Sequence, residues 1–281
     1  MGLKAVAQSQ SQSQSQQTDA YYNTTYGTPS LNPITTGTYN TANGYYALNN
    51  LTTGSNNTAN GSYALNSLAT GNYNTANGSY ALYSLTNGAS NTANGYYALY
   101  SDSSGSRNTA YGYVSLYGLT TGTYNTANGS NALNNLTTGS NNTANGSFAG
   151  SYLANGSTAN VAPDNSVFIG YNSKAGLAGQ TNEIVIGALA IGAGDNSVTL
   201  GNTSITKTVL QGSVGIGTTN PNAYAILDVT STSKAFVLPR MTTAQKLAGI
   251  VTPVSGMLVY DTTLNKLSVY GGASWETVTS V

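Results

Sequence analysis

The chain contains no cysteine and no histidine, and only 6% of its 281 residues are charged. Without cysteine there is no disulfide framework and no thiolate metal site. Without histidine the commonest general base and most zinc ligands are missing as well. The charges balance at 8 basic against 8 acidic, which leaves no electrostatic footprint for nucleic acid or an anionic membrane. The carboxylates Asp19, Asp102, Asp164, Glu183, Asp195, Asp228, Asp261 and Glu276 are scattered, and nothing local pairs two of them for acid–base work. No apolar run approaches the roughly 20 residues of a spanning helix. The expectation is a protein that is not an enzyme, uses no cofactor or metal, and neither binds nucleic acid nor inserts into a membrane. The opening MGLKAVAQSQ carries an A-x-A-like Ala5-Val6-Ala7, but its apolar run is too short for a secretory signal, so export by that route is not expected.

What is present is a repeat. NTANG or a close relative begins at Asn23, Asn40, Asn57, Asn74, Asn91, Asn108, Asn125 and Asn142, each step being 17 residues. A second glycine keeps the same interval from Gly37 through Gly54 and Gly71 to Gly156. Seventeen residues are too few for a helical-pair repeat. They suit one coil of a parallel β-solenoid, with two short strands and two tight turns whose glycines supply positive φ. Stacked at the inter-strand spacing, the repeats make a rod roughly 40 Å long.

Stacking in register turns equivalent positions into columns. One column is Leu48, Leu65, Leu82, Leu99, Leu116 and Leu133, and another runs Ile34, Leu51, Leu68, Leu85, Asp102, Leu119 and Leu136. These form the core, with Ala47, Ala64 and Ala81 as close-contact positions. Burying two leucines per coil is worth roughly 3–6 kcal/mol, against roughly 1–2 kcal/mol of backbone entropy for every ordered residue. A lone coil cannot fold, and association of whole rods is favoured. The asparagines Asn40, Asn57, Asn74, Asn91, Asn108, Asn125 and Asn142 are expected to form a hydrogen-bonded ladder along the axis.

The chain divides into four segments. Residues 1–20 are a polar low-complexity linker or anchor, and 21–150 are the seventeen-residue repeat shaft. Residues 151–211 are a variant roll or neck with NSVFIG, NEIVIG and NSVTLG. Residues 212–281 are β-rich, with strands expected at 235–240, 256–262 and 266–272. A short helix between the first two would be N-capped by Thr242 or Thr243.

NSVFIG and NSVTLG resemble the phrase that builds the head domains of trimeric autotransporter adhesins. The NTANG…AL…TG form resembles the longer repeat of bacteriophage tail- and head-fibre proteins. The run from GIGTTNP to LSVYGGASW resembles the C-terminal part of those same fibres. The resemblance implies an all-β, left-handed parallel β-roll, a homotrimeric fibre, and a C-terminal trimerisation or tip domain. It also implies a place on the virion surface, with other virion structural proteins and a host surface glycan or receptor as partners. The sequence departs from the adhesins by placing Asn before the glycine, as at Asn43, Asn60 and Asn77, and it shows no C-terminal membrane-barrel strands. A virion fibre therefore fits better than the alternatives, a bacterial surface adhesin or extracellular fibre, or an ice-binding solenoid.

Two surface features stand out. Tyr46, Tyr63, Tyr80 and Tyr97 form one tyrosine column, and Tyr83, Tyr100 and Tyr117 another. Rings with hydroxyls suit both stacking on a glycan and hydrogen bonding to it, while cross-coil stacking is their structural alternative. Tyr63 shares strand parity with Leu65, which would point its column inward. Asp102 and Arg107 are the sole charges between residues 20 and 163 and share one coil. A salt bridge between them that fixes register is expected.

Overall fold

In the NTANG phrase a β-favouring threonine and a small alanine precede an asparagine and a glycine, and this phrase forms the strand of each coil. The computed structural model describes residues 17–27, 29–31 and 36–278. Ile34 and most of the low-complexity N-terminal tract lie outside the described residues. The repeats hold strands β1 (Gln17–Thr18), β2 (Thr24–Tyr26), β3 (Thr41–Asn43), β4 (Thr58–Asn60), β5 (Thr75–Asn77), β6 (Thr92–Asn94), β7 (Thr109–Tyr111), β8 (Thr126–Asn128) and β9 (Thr143–Asn145). β10 (Val167–Ile169), β11 (Ile184–Ile186) and β12 (Val198–Leu200) complete a single sheet of 12 strands in sequence order. From β2 onward every pairing is parallel, with Thr on Thr and Ala on Ala from β3 to β9. The fold is a parallel β-solenoid with coils of about 17 residues. Each coil contributes one strand rather than the two expected, and the rest of the circuit is a chain of turns.

The turns explain the difference. In the coil of β3, Tyr46 and Leu48 have φ of 55° and 49°, and Asn56 has φ of 59°. The same register positions are left-handed in every coil through Phe148. Left-handed residues cannot extend a strand, so the leucine segment curls inward and buries its side chains. Leu48, Leu65, Leu82, Leu99, Leu116 and Leu133 are fully buried, as are the alanines at the centre of β3 to β9. Gly44 and its equivalents do take positive φ, 139° at Gly44. From Gly54 to Gly139 the second glycine column does not, and only Gly156, in the loop after β9, does (φ 72°). At Gly71 a Cβ would overlap the carbonyl oxygen of Gly88 and lie 2.7 Å from Leu68 Cδ1. Coil-to-coil space, rather than turn conformation, excludes a side chain there.

Between β9 and β10 the interval lengthens, so that the Asn142 Oδ1 accepts from Ser166, 24 residues on. The extra residues fold out as a small loop closed by an antiparallel bridge from Tyr152 to Ala159. In β10 and β11, Phe168 and Val185 take the buried alanine position, while Ile169 and Ile186 take the exposed asparagine position.

The division between two compact units falls between Thr206 and Lys207. The second unit contains β13 (Val214–Ile216) parallel to β14 (Leu227–Val229), then β15 (Arg240–Met241), helix α1 (Thr243–Gly249), β16 (Leu258–Asp261), β17 (Lys266–Tyr270) and β18 (Trp275–Thr277). β15 pairs parallel to β16, and the two following pairings are antiparallel. The strand expected over 235–240 shrinks to its last residue plus Met241. Thr242 caps α1 in a capping box with Gln245. The helix is fixed to the sheet by a buried ion pair, Lys246 Nζ to Asp261 Oδ2 at 2.7 Å. Ser268 Oγ accepts from the same ammonium at 3.1 Å, and the Trp275 ring lies 5.3 Å from it.

Candidate binding surface

Because the residue at the register of Tyr46 is left-handed, its ring leaves the coil sideways and meets the ring one coil away. Tyr46, Tyr63, Tyr80 and Tyr97 form one stack, with centroids 5.3, 5.0 and 5.0 Å apart and planes within 16°. Tyr83, Tyr100 and Tyr117 form a second stack, with both spacings 5.2 Å and planes 6° apart. The stacks meet edge to face, Tyr97 on Tyr100 at 4.9 Å. The first stack is half-buried at the surface, not directed into the core as its parity with Leu65 suggests. Strand alternation does not apply where both residues are left-handed.

This packing changes what the tyrosines can offer. Tyr63, Tyr80 and Tyr100 each have a neighbouring ring against both faces, so face-on stacking upon a sugar is closed at these rungs. Ring edges and hydroxyls remain open. Tyr45 and Tyr96 join the patch edge-on to Tyr46 and Tyr97, and Tyr113 stacks on Tyr96 at 5.8 Å. These three escape a column-by-column reading, since Ser62 and Ser79 interrupt their column between Tyr45 and Tyr96. The paired letters Tyr45-Tyr46 and Tyr96-Tyr97 are the signal for the first two, and Tyr113 follows one coil after Tyr96.

A hydrogen bond with Tyr97, burial and nearby phenols push the Tyr96 hydroxyl up to about 12. Burial, then the neighbouring tyrosines, raise Tyr80 and Tyr100.

Asp102 and Arg107 do not pair. Asp102 occupies a core leucine register between Leu85 and Leu119 and is fully buried, with Oδ1 accepting the Gly105 N–H at 2.7 Å. Burial pushes its carboxyl up to about 7, partly opposed by Gly105 and the Asn108 amide. Arg107 is on the outside, its guanidinium 5.0 Å from the Tyr124 ring centre and donating to the Tyr124 hydroxyl. Their registers point one inward and the other outward, which prevents the expected salt bridge.

The asparagines Asn40, Asn57, Asn74, Asn91, Asn108, Asn125 and Asn142 are buried within the solenoid. From Asn40 to Asn125 each Oδ1 accepts the backbone N–H of the asparagine in the next coil, as Asn40 does from Asn57 and Asn125 from Asn142. Each amide from Asn40 to Asn125 donates to the glycine carbonyl 14 residues ahead, as Asn91 does to Gly105 at 2.8 Å. The first rung, Asn23, has no asparagine before it. Asp19 takes that place, accepting the Asn23 N–H at 2.9 Å and the Asn23 amide at 3.0 Å.

Three more carboxylates hold backbone N–H groups. Asp164 and Asp195 accept the N–H groups of Ser140 and Thr181, and buried Glu183 accepts that of Gly194 at 2.9 Å. Among the described residues no cluster of carboxylates has the makings of a metal site, and no helix is long and apolar enough to cross a membrane.

Residues 215–281 match the family model described as Phage tail like trimerisation region. No curated protein and no solved structure matches the chain. A β-solenoid together with a region of this family fits the architecture of phage fibre proteins, and the family points to a component of the virion.

Proposed function

We propose that the protein is a homotrimeric, non-enzymatic fibre on the virion surface. It joins other virion structural proteins and attaches to a host cell surface through glycan. The observation that carries this reading is the trimerisation-region match over residues 215–281 in a chain whose preceding unit is a β-solenoid. The second unit supports it. Ile226, Val251 and Phe236 are 83, 79 and 64% exposed there, more bare apolar surface than a solitary small unit ordinarily carries. Two further copies of the chain are the partners that the family implies. The non-enzymatic part rests on the carboxylates, most of which already hold backbone N–H groups or a lysine.

The test is binding of the purified full chain to bacterial host cells before and after their surface polysaccharide is removed enzymatically. Binding that falls with the polysaccharide is expected. Equal binding to stripped cells would overturn the glycan part, and host polysaccharide shortened by the protein alone would overturn the non-enzymatic part.

A further inference from the structure

We infer that the tyrosine face from Tyr45 to Tyr117 binds an extended, uncharged polysaccharide laid along the stacking axis, its sugars in step with successive coils. The inference rests on the glycan-attachment reading and specifies its ligand.

The solenoid itself does not require these rings. At the register of Tyr97 a later coil has Asn131, at that of Tyr100 it has Asn134, and at that of Tyr113 it has Ser130. Those coils keep the same strand pairing and buried leucines. The patch is thus bounded, whereas a seam between chains would be expected to continue along the rod.

Backbone conformation argues the same way. Tyr46, Tyr63, Tyr80 and Tyr97 have φ between 55° and 59°, a region where asparagine is several-fold enriched over other non-glycine residues. Asn131 sits there with φ of 56°. Four consecutive coils nevertheless hold tyrosine at a position suited to asparagine.

The form of the surface selects the ligand. With the faces of the inner rungs Tyr63, Tyr80 and Tyr100 covered, the groups open along the stacks are edges and hydroxyls repeating every 5.0–5.3 Å, as the centroids do. One sugar of an extended β-linked chain advances by a similar distance. A single terminal sugar would use one rung and leave the others idle. Among the described residues no charge faces the patch. Asp102 is buried, and Arg107 is held by Tyr124 in a different column. A polyanion would find no counter-charge here.

The experiment is calorimetric titration of the full chain with neutral β-1,4-linked gluco- and chito-oligosaccharides, from one sugar up to the length of the patch. The variant Tyr80→Asn/Tyr97→Asn/Tyr100→Asn is run beside it. Each substitution installs a residue that the repeat already carries at that register, so folding is retained. Affinity is expected to rise about 2- to 10-fold with each added sugar, the value of one more polar contact, and to level off beyond the patch. The variant should lose that gain with its mass in solution unchanged. Binding independent of length would overturn the inference and leave glycan attachment standing. Absence of binding by every oligosaccharide would overturn the inference, and the stripped-cell assay then decides separately whether the attachment reading falls with it. A variant that loses its oligomeric state would show the face to be a contact between chains, which also overturns it.

Discussion

The Oδ1 of Asn57 accepts two hydrogen bonds from Asn74, one from its backbone N–H at 2.9 Å and one from its amide at 3.1 Å. The Asn74 amide also donates to the Gly88 carbonyl at 2.8 Å. One side chain thus ties its own coil across to its far turn while holding the coil before it. Because every group is buried, the ladder accounts for polar atoms that water cannot reach.

Replacing Asn74 by alanine orphans the Asn91 N–H and the Gly88 carbonyl inside the rod. Each buried unpaired group costs about 1–3 kcal/mol. Asn74→Ala should therefore lower stability by several kcal/mol in urea unfolding at fixed protein concentration. Asn60→Ala, which removes a partly exposed bond to Asn77, should cost much less. Equal effects would show that the buried ladder is not special.

Gly71 and Gly118 give a paired test of why glycine is present. A Cβ at Gly71 would collide with backbone of the next coil, whereas at Gly118 the nearest atom is Asn134 O at 3.0 Å, at a register where other coils hold Ser84 and Ser101. Gly71→Ala should disrupt stacking and lower the thermal midpoint by many degrees. Gly118→Ala should leave it within a degree or two, read by circular dichroism.

These glycines also mark where sequence reading reaches its limit. The interval of 17 residues, the leucine columns and the asparagine ladder are legible, because parallel stacking turns period into contact. The left-handed backbone at Tyr46 and Leu48 is not. Neither residue type prefers it, and only the packing of neighbouring coils imposes it. The expectations of two strands per coil and of a Tyr63 column aimed inward assumed extended backbone, which left-handed residues break. The Asp102–Arg107 bridge assumed that sharing a coil brings two side chains together, though one register faces the core and the other the surface. Of the two uses open to the tyrosines in the sequence, cross-coil stacking is present, and it covers the faces of the inner rings.

Asp102 makes the solenoid sensitive to pH. Its carboxyl is raised on folding from 3.8 to about 7, so the folded chain holds the proton more tightly than the unfolded one. The contribution is complete below about pH 4 and is lost as pH rises through 7. Its size is on the order of 4 kcal/mol. Asp102→Leu, which restores the residue of Leu85 and Leu119, should stabilise the protein at pH 8 and flatten the profile between pH 4 and 7. A profile unchanged by the substitution would rule this out.

The second unit should respond to acid in the opposite sense. Burial acts to raise Asp261, but the Lys246 ammonium, the Thr243 hydroxyl and two backbone N–H groups hold it well below the usual carboxylate range. That stability is present above the unfolded value of 3.8 and is lost as pH falls below it. Asp261→Asn leaves Lys246 buried without its counter-charge. The Trp275 fluorescence transition should move down by several degrees at neutral pH and lose its dependence on acid. An unshifted transition would mean that the pair does not hold α1 to its sheet.

The account depends most on the claim that three chains make one fibre. Sedimentation equilibrium of the full chain at micromolar concentration measures this directly. A species of three times the 28.7 kDa chain mass is predicted. A stable single-chain species would contradict the account.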